Sequence, residues 1–198
     1  MTFHGDTWRA KSGTASWAFR LAQSTAAYRL LVTRFLHECR GFAVPAIVRL
    51  ATRRDGENAL VVDVRDKEQY RRLAAFMDAR DDVEDAEISL DLTYESAEGK
   101  EHLLHGGATA WLSPECEAHD DHRFWLVVTL HTDLYAFVSW GRNRDNTAVA
   151  KRNAPRMETF LRRLEEELGF SLAEIDAPSY QDQAYRYGFR PPGSNALE

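Results

Sequence analysis

Residues 87–94 read Glu-Ile-Ser-Leu-Asp-Leu-Thr-Tyr, and this stretch decides the expected fold. Apolar side chains occupy every second position, whereas the positions between them carry acids and hydroxyls. A period of two is typical of an antiparallel strand that turns one face to the core and the other to water. We therefore predict a half-buried antiparallel strand with an acidic, solvent-facing side.

Upstream of this strand, turn residues separate two apolar runs. The dipeptide Asp55-Gly56 lies between residues 46–52 and residues 60–64. Asp-Gly between two apolar runs is a strong hairpin signal, because both residues tolerate the positive φ that tight hairpin turns require. We therefore predict two further antiparallel strands.

Downstream, three more segments have strand character. Residues 102–112 follow a turn, residues 124–130 are apolar on both faces as in a central strand, and residues 134–140 follow another turn. Gly106 and Gly107 indicate a bulge in the first of these strands. The sheet should thus be mainly antiparallel, with about five or six strands.

The first 40 residues show a helical spacing of apolar side chains. Several of them fall in one sector at 100° per residue, which predicts a long N-terminal helix over residues 14–38. Phe19 and Leu30 fall on the opposite side and form a second, narrower stripe. That stripe is a candidate for self-association. The members of the main sector are Trp17, Leu21, Tyr28, Leu31, Val32, Phe35 and Leu36.

Two further helices are expected. The middle helix covers residues 66–80, with Asp66 as its N-cap. The C-terminal helix carries an apolar stripe; Asn153 and Pro155 suit its start, and Gly169 suits its end.

These elements predict an α+β fold in which three helices pack on an antiparallel sheet. We expect a polar arm over residues 1–13, one domain over residues 14–169 and a tail rich in Tyr and Arg over residues 170–198. The chain lacks the Gly-rich strand-to-helix turn that parallel nucleotide-binding folds require.

Charge is distributed unevenly along the 198 residues, although the net charge is only −6. Residues 1–54 hold nine Lys and Arg against two acids, whereas residues 55–122 hold six against nineteen. The remaining residues are balanced at ten of each. Such asymmetry indicates either a charged partner or two segments that attract each other across the fold.

Two cysteines and the absence of a long apolar run predict a cytoplasmic protein. No motif in the chain specifies an activity. The acidic middle segment therefore favours a non-catalytic domain that captures a basic protein partner, as immunity proteins and antitoxins do. The best candidates for that contact are Asp81, Asp82, Glu84, Asp85, Glu87 and Asp91.

A small metal-dependent enzyme is the alternative. Cys116, His119 and His122 stand three residues apart in an acidic segment, and thiolate and imidazole are ligands that zinc prefers. The same composition also suits a solvated loop between two strands, which is the simpler interpretation. On that interpretation no cofactor is expected.

Two weaker binding hypotheses remain. Arg142 and Arg144 precede helical sequence, where guanidinium groups can hold a phosphate or a carboxylate. A nucleic-acid-associated or scaffold protein is the second alternative: the aromatic and basic tail could stack nucleic-acid bases, but the acidic character of the chain opposes a phosphate backbone. We expect the tail to strap over the core instead. Its aromatic and basic residues are Tyr180, Tyr185, Arg186, Tyr187, Phe189 and Arg190.

Overall fold

The computed structural model describes residues 2–4, 7–10, 13–21, 28–114, 124–139 and 144–194, without the side chains of the first two ranges. Its centre is a seven-stranded antiparallel sheet with the order β11-β3-β8-β7-β6-β4-β5. In chain order these strands are β3 (Ala15–Leu21), β4 (Ala43–Thr52), β5 (Gly56–Asp63), β6 (Val83–Glu95), β7 (Glu101–Pro114), β8 (Phe124–Leu130) and β11 (Ser171–Asp176).

Three short hairpins accompany the main sheet in the described ranges. Each consists of two paired strands of two or three residues. They are β1 (Thr2–His4) with β2 (Thr7–Arg9), β9 (Val138–Ser139) with β10 (Arg144–Asp145), and β12 (Ala184–Tyr185) with β13 (Gly188–Phe189).

Three helices pack on one face of the sheet: α1 (Tyr28–Glu38), α2 (Lys67–Asp78) and α3 (Thr147–Glu166). The start of α2 is confirmed, because the Asp66 carboxylate accepts the amide hydrogens of Glu68 and Gln69. Those amides have no partner within the helix, so the cap stabilises its first turn.

The expected fold class is wrong in its balance of helix and sheet. The described residues are mostly sheet, with seven strands in the main sheet instead of five or six, and they contain no long N-terminal helix. Residues 15–21 form β3, which is hydrogen-bonded to β8 on one side and to β11 on the other. Trp17, Phe19 and Leu21 also fit the period of two that is typical of a strand. Pairing with the distant strands β8 and β11 favours this strand over a helix.

Two other boundaries differ from the predictions. Helix α3 begins at Thr147, so that Pro155 lies inside it. The turns of α3 that precede Pro155 are stabilised by packing and by Asn153, whose side-chain amide nitrogen donates to the carbonyl of Glu95 at 2.8 Å. Of the described residues 134–139, the first four form a buried turn and only the two residues of β9 form a strand.

The hairpin around Asp55-Gly56 and the strand around residues 87–94 are confirmed. Even-numbered residues of β6 from Ala86 to Tyr94 are buried against the helices. Phe160 of α3 stacks on Phe42, the residue before β4, with ring centroids 4.3 Å apart, and it meets Phe35 of α1 edge-on. Aromatic packing therefore holds these two helices to the sheet.

The predicted bulge is also confirmed. Residues 105–107 lie opposite Asp91 alone, because Leu90 pairs with Ala108 and Leu92 with Leu104. Gly107 is required there, since a Cβ would approach Leu92 Cδ1 to 2.7 Å.

The C-terminal segment closes over the helical side of β3, as expected for a strap. The Trp17 indole donates to the carbonyl of Tyr185 at 2.9 Å, and the Trp17 ring meets Phe189 edge-on. Tyr180 and Phe189 are buried in the core. Strand β11 extends the sheet beyond β3.

None of the helices in the described ranges combines the length and the apolar character that a membrane span needs.

Candidate partner-binding surface

The side of the sheet opposite the helices is not covered by any helix of the described residues. Side chains of six adjacent strands form a row across it, because their residues are direct register partners. We call this side the open face. From β3 to β5, the row consists of Ala18, Val127, Trp111, Glu87, Arg49 and Val61.

Trp111 is the dominant side chain of the open face. It belongs to β7, the middle strand of the seven, and it is 43% exposed. Val127 lies directly opposite it on β8, and Glu87 lies opposite on β6. A half-exposed tryptophan in the middle of a sheet is unusual for a water-facing surface and typical of an anchor that a partner covers.

Beside Trp111 the open face combines aromatic and polar groups. The Arg20 guanidinium lies over the Trp125 ring, 4.7 Å from its centroid, and keeps that ring half-buried. A neighbouring row, Ser16, Thr129, Thr109 and Ser89, carries hydroxyls across four strands. This mixture resembles a protein-binding surface, where an apolar centre is surrounded by hydrogen-bonding groups.

Next to the open face, the start of β6 and the residues just before it carry five of the six predicted acidic contact residues. Arginines of β4, of the turn after β4 and of the segment before β6 lie against them and form ion pairs. We call this region the acidic edge. Its acids are Asp55, Asp81, Asp82, Glu84, Asp85 and Glu87, and its arginines are Arg49, Arg53, Arg54 and Arg80.

Ion pairs of the acidic edge join β4 and the turn after it to β6. Arg49 of β4 lies 3.4 Å from Glu87, and Arg53 of the turn lies 3.1 Å from Glu84. The basic first segment and the acidic middle segment therefore attract each other across the fold, which is one of the two explanations for the uneven charge. Six acids still face four arginines, so the acidic edge keeps a negative excess.

Asp82 is the most firmly held of these acids. The Arg80 guanidinium binds both of its carboxylate oxygens, at 2.8 and 2.9 Å. These hydrogen bonds lower the pKa of Asp82 to about 2. Arg80 also reaches Asp55 at 2.8 Å, so this guanidinium ties the hairpin turn to the start of β6.

The other candidate acids differ in their availability. Asp81 is exposed, with no ion pair in the described part of the chain. Glu84 and Glu87 are about half exposed, and their arginine partners are solvated, so these pairs can exchange at low cost. Asp85 keeps one carboxylate oxygen buried.

Asp91, the sixth of the predicted contact acids, lies in a different environment from the other five. Its side chain is only 4% exposed, and it accepts hydrogen bonds from Arg65 and His105 at 3.0 and 2.9 Å. Its second oxygen accepts the amide hydrogen of Gly106 at 2.7 Å. The carboxylate thus holds the bulge of β7 in place and does not belong to the exposed acidic surface.

The expected self-association stripe does not form. Phe19 is fully buried in β3, whereas Leu30 is exposed on α1. The two residues belong to different elements because the predicted long helix is replaced by a strand and a shorter helix.

The other candidate sites lie partly outside the described residues. Cys116, His119, His122 and Arg142 all do, so the zinc hypothesis stays a prediction. Arg144 is exposed in β10. At the start of α3, the Asp145 carboxylate accepts the Thr147 amide hydrogen at 2.9 Å and so occupies the position that an anion would take.

Trp111 was not among the predicted site residues, although the sequence contains a signal for it. The small apolar residues Ala108, Ala110 and Leu112 alternate with Thr109 and Trp111. A tryptophan on the face opposite the buried residues of a strand is a candidate anchor.

Comparison of the chain with protein-family models, with curated proteins and with solved structures finds no match.

Proposed function

We propose that this protein is a non-catalytic binding domain that captures a basic protein partner through the open face and the acidic edge. The observation that carries this proposal is the half-exposed Trp111 on the middle strand of an uncovered sheet face. Immunity proteins and antitoxins are the functional type that we expect, because they act by binding and perform no chemistry.

Shape and charge support the same contact. Trp111 and Val127 offer an apolar centre, and burial of a tryptophan contributes strongly to binding because its ring covers a large area. Glu87 lies next to Trp111 and connects the apolar centre with the acidic edge. An excess of acids at that edge attracts a basic surface and accelerates its association.

A photo-crosslinking experiment tests the proposal. A benzophenone amino acid replaces Trp111 in one variant and Leu30 in a matched control, since Leu30 is equally exposed but lies on the helical side. Both variants are irradiated in cells that express the protein. We expect position 111 to crosslink to a basic protein that position 30 does not capture.

A charge variant makes the experiment specific. Asp81→Asn, Glu84→Gln and Glu87→Gln together should weaken the crosslink at position 111, more strongly at low salt than at high salt. The matched control neutralises three exposed acids on the helical side of the sheet, Glu68 of α2 and Glu166 and Glu167 at the end of α3. Equal capture at both positions, capture of an acidic protein, or equal loss in the two charge variants contradicts the proposal.

A further inference from the structure

Arginines without a carboxylate partner gather where α1 and α3 meet. Across the described ranges most arginines form ion pairs. Arg34, Arg40 and Arg163 form none there, and Arg72 and Arg190, which lie in other parts of the fold, form none either. Arg163 donates only to the main-chain carbonyl of Arg40, at 3.3 Å, and Arg34 donates to the carbonyl of Glu167. We call this region the α1–α3 junction.

Two of these arginines line one cavity. Arg40 and Arg163 face a concave space of about 270 Å³, whose wall includes Phe42 and Phe160. Arg156 lines it too, but Glu95 and Glu101 hold its guanidinium at 3.1 and 3.2 Å. Arg40 and Arg163 are therefore the groups in this cavity that can engage an anion from outside.

Charge alone favours an anion in this space. Two guanidinium groups that line the same small cavity repel each other, and an anion between them replaces repulsion by attraction. The carbonyl of Arg40 fixes one nitrogen of Arg163, so the remaining donors of that guanidinium are already oriented. Guanidinium groups bind phosphate and carboxylate through paired hydrogen bonds.

A larger apolar groove adjoins this cavity at Arg40. It measures about 550 Å³, and Arg40 lines it as well. Its other arginine, Arg65, is engaged by Asp63 and Asp91. The apolar lining consists of Leu36, Ala43, Val44, Pro45, Val64 and the ring of Tyr70.

We propose that the α1–α3 junction binds a small amphiphilic anion. The phosphate or carboxylate head lies between Arg40 and Arg163, and the apolar body extends into the groove beyond Arg40. Exposed apolar side chains support the second part, because Val44 and Tyr70 are each 37% exposed in that groove. Arg40 and Arg163 lie near the ends of α1 and α3, on the other side of the sheet from Trp111.

A structural role is the competing explanation for these arginines. Arg40 follows the end of α1, and Arg163 lies in the last turn of α3, where cations stabilise the helix ends. This explanation predicts lower stability after substitution but no ligand binding. The two explanations thus differ in a measurable way.

Calorimetric titration at low ionic strength tests the proposal with four probes. Octyl phosphate and octanoate carry both a head and an apolar body, inorganic phosphate carries the head alone, and octanol carries the body alone. We expect the two amphiphiles to bind about tenfold more tightly than inorganic phosphate, because the groove removes their methylenes from water. Octanol should bind no better than phosphate. Both amphiphiles are used below their micelle concentrations.

Substitutions connect the binding to the cavity. Arg40→Gln and Arg163→Gln should each weaken octyl phosphate about tenfold, whereas Arg72→Gln on α2 should leave its affinity unchanged. Arg40→Gln keeps the test valid if Arg163→Gln does not fold, because the Arg40 guanidinium holds no other described group. Absence of binding at millimolar octyl phosphate, equal affinity for octanol, or equal loss in Arg72→Gln overturns the proposal.

Discussion

The acidic edge and the α1–α3 junction use the same residue type in opposite ways. At the acidic edge, Arg49, Arg53, Arg54 and Arg80 are all engaged by carboxylates of β6 and of the preceding turn. At the junction, Arg34, Arg40 and Arg163 meet main-chain carbonyls or solvent. The net charge of −6 therefore does not reveal which charged side chains are paired with an opposite charge and which are not. Uncompensated charges are the ones available to a ligand or partner.

The largest loss of stability is expected at Asp91, where a buried carboxylate holds its hydrogen-bond donors. Asp91→Ala removes the acceptor for Arg65, His105 and the amide hydrogen of Gly106. We expect the free energy of unfolding to fall by about 2–4 kcal/mol, because a buried amide and part of a guanidinium lose their partner. Urea denaturation measures this loss. Asp81→Ala is the exposed control and should change stability little.

A pH titration tests the pairing of Asp82. Its pKa is about 2 in the folded protein, against an ordinary value of 3.8, so the folded state binds the proton less readily. The resulting stabilisation is present above about pH 4 and is lost as the pH falls toward 2. Asp82→Asn should be less stable than the wild type at neutral pH, and the two denaturation curves should converge toward pH 2. A difference that is constant from pH 6 to 2 would contradict the assignment.

The smallest changes in stability are expected for two exposed arginines, one from each region, and they should differ in direction. Arg53→Gln removes an exposed partner of Glu84 and should lower stability by less than about 1 kcal/mol. Arg40→Gln removes repulsion from Arg163 and should leave stability unchanged or slightly raised when no ligand is present. Thermal denaturation of both variants at low and high salt provides the check. Loss of stability in both variants to the same extent would remove the distinction between the two regions.

Local signals in the sequence predicted the parts of the fold that depend on neighbouring residues. The cap at Asp66, the hairpin turn at Asp55-Gly56 and the alternation of residues 87–94 act over a few positions, and all are confirmed. The bulge at Gly106-Gly107 also follows from local composition.

Long-range pairing explains the errors. Trp17 and Leu21 fit a helical sector together with residues of the true helix α1, and only the presence of β8 and β11 on both sides makes the segment a strand. Pro155 indicated a helix start, whereas packing and the Asn153 side chain hold the turns before it.

The binding surfaces depend still more on tertiary structure. Asp91 belongs to the alternating acidic face of β6 in sequence, but the bulge of β7 folds over it and buries it. Arg40 and Arg163 approach each other across 123 residues of chain, so no local pattern could have connected them. By contrast, the alternation of residues in β7 is enough to predict that Trp111 lies on the face opposite the buried side chains.

The position of β3 between β8 and β11 has a consequence for synthesis of the chain. Thr14, at the start of this strand, bonds to Leu130, 116 residues later, and Trp17 bonds to the backbone of Tyr185, 168 residues later. Contacts of such high sequence separation form slowly, because long loops must close first. On the ribosome, β3 emerges before both of its partner strands, so Trp17 and Phe19 lack their native contacts until β8 and β11 have been made. During that interval the apolar side chains of this segment can promote aggregation.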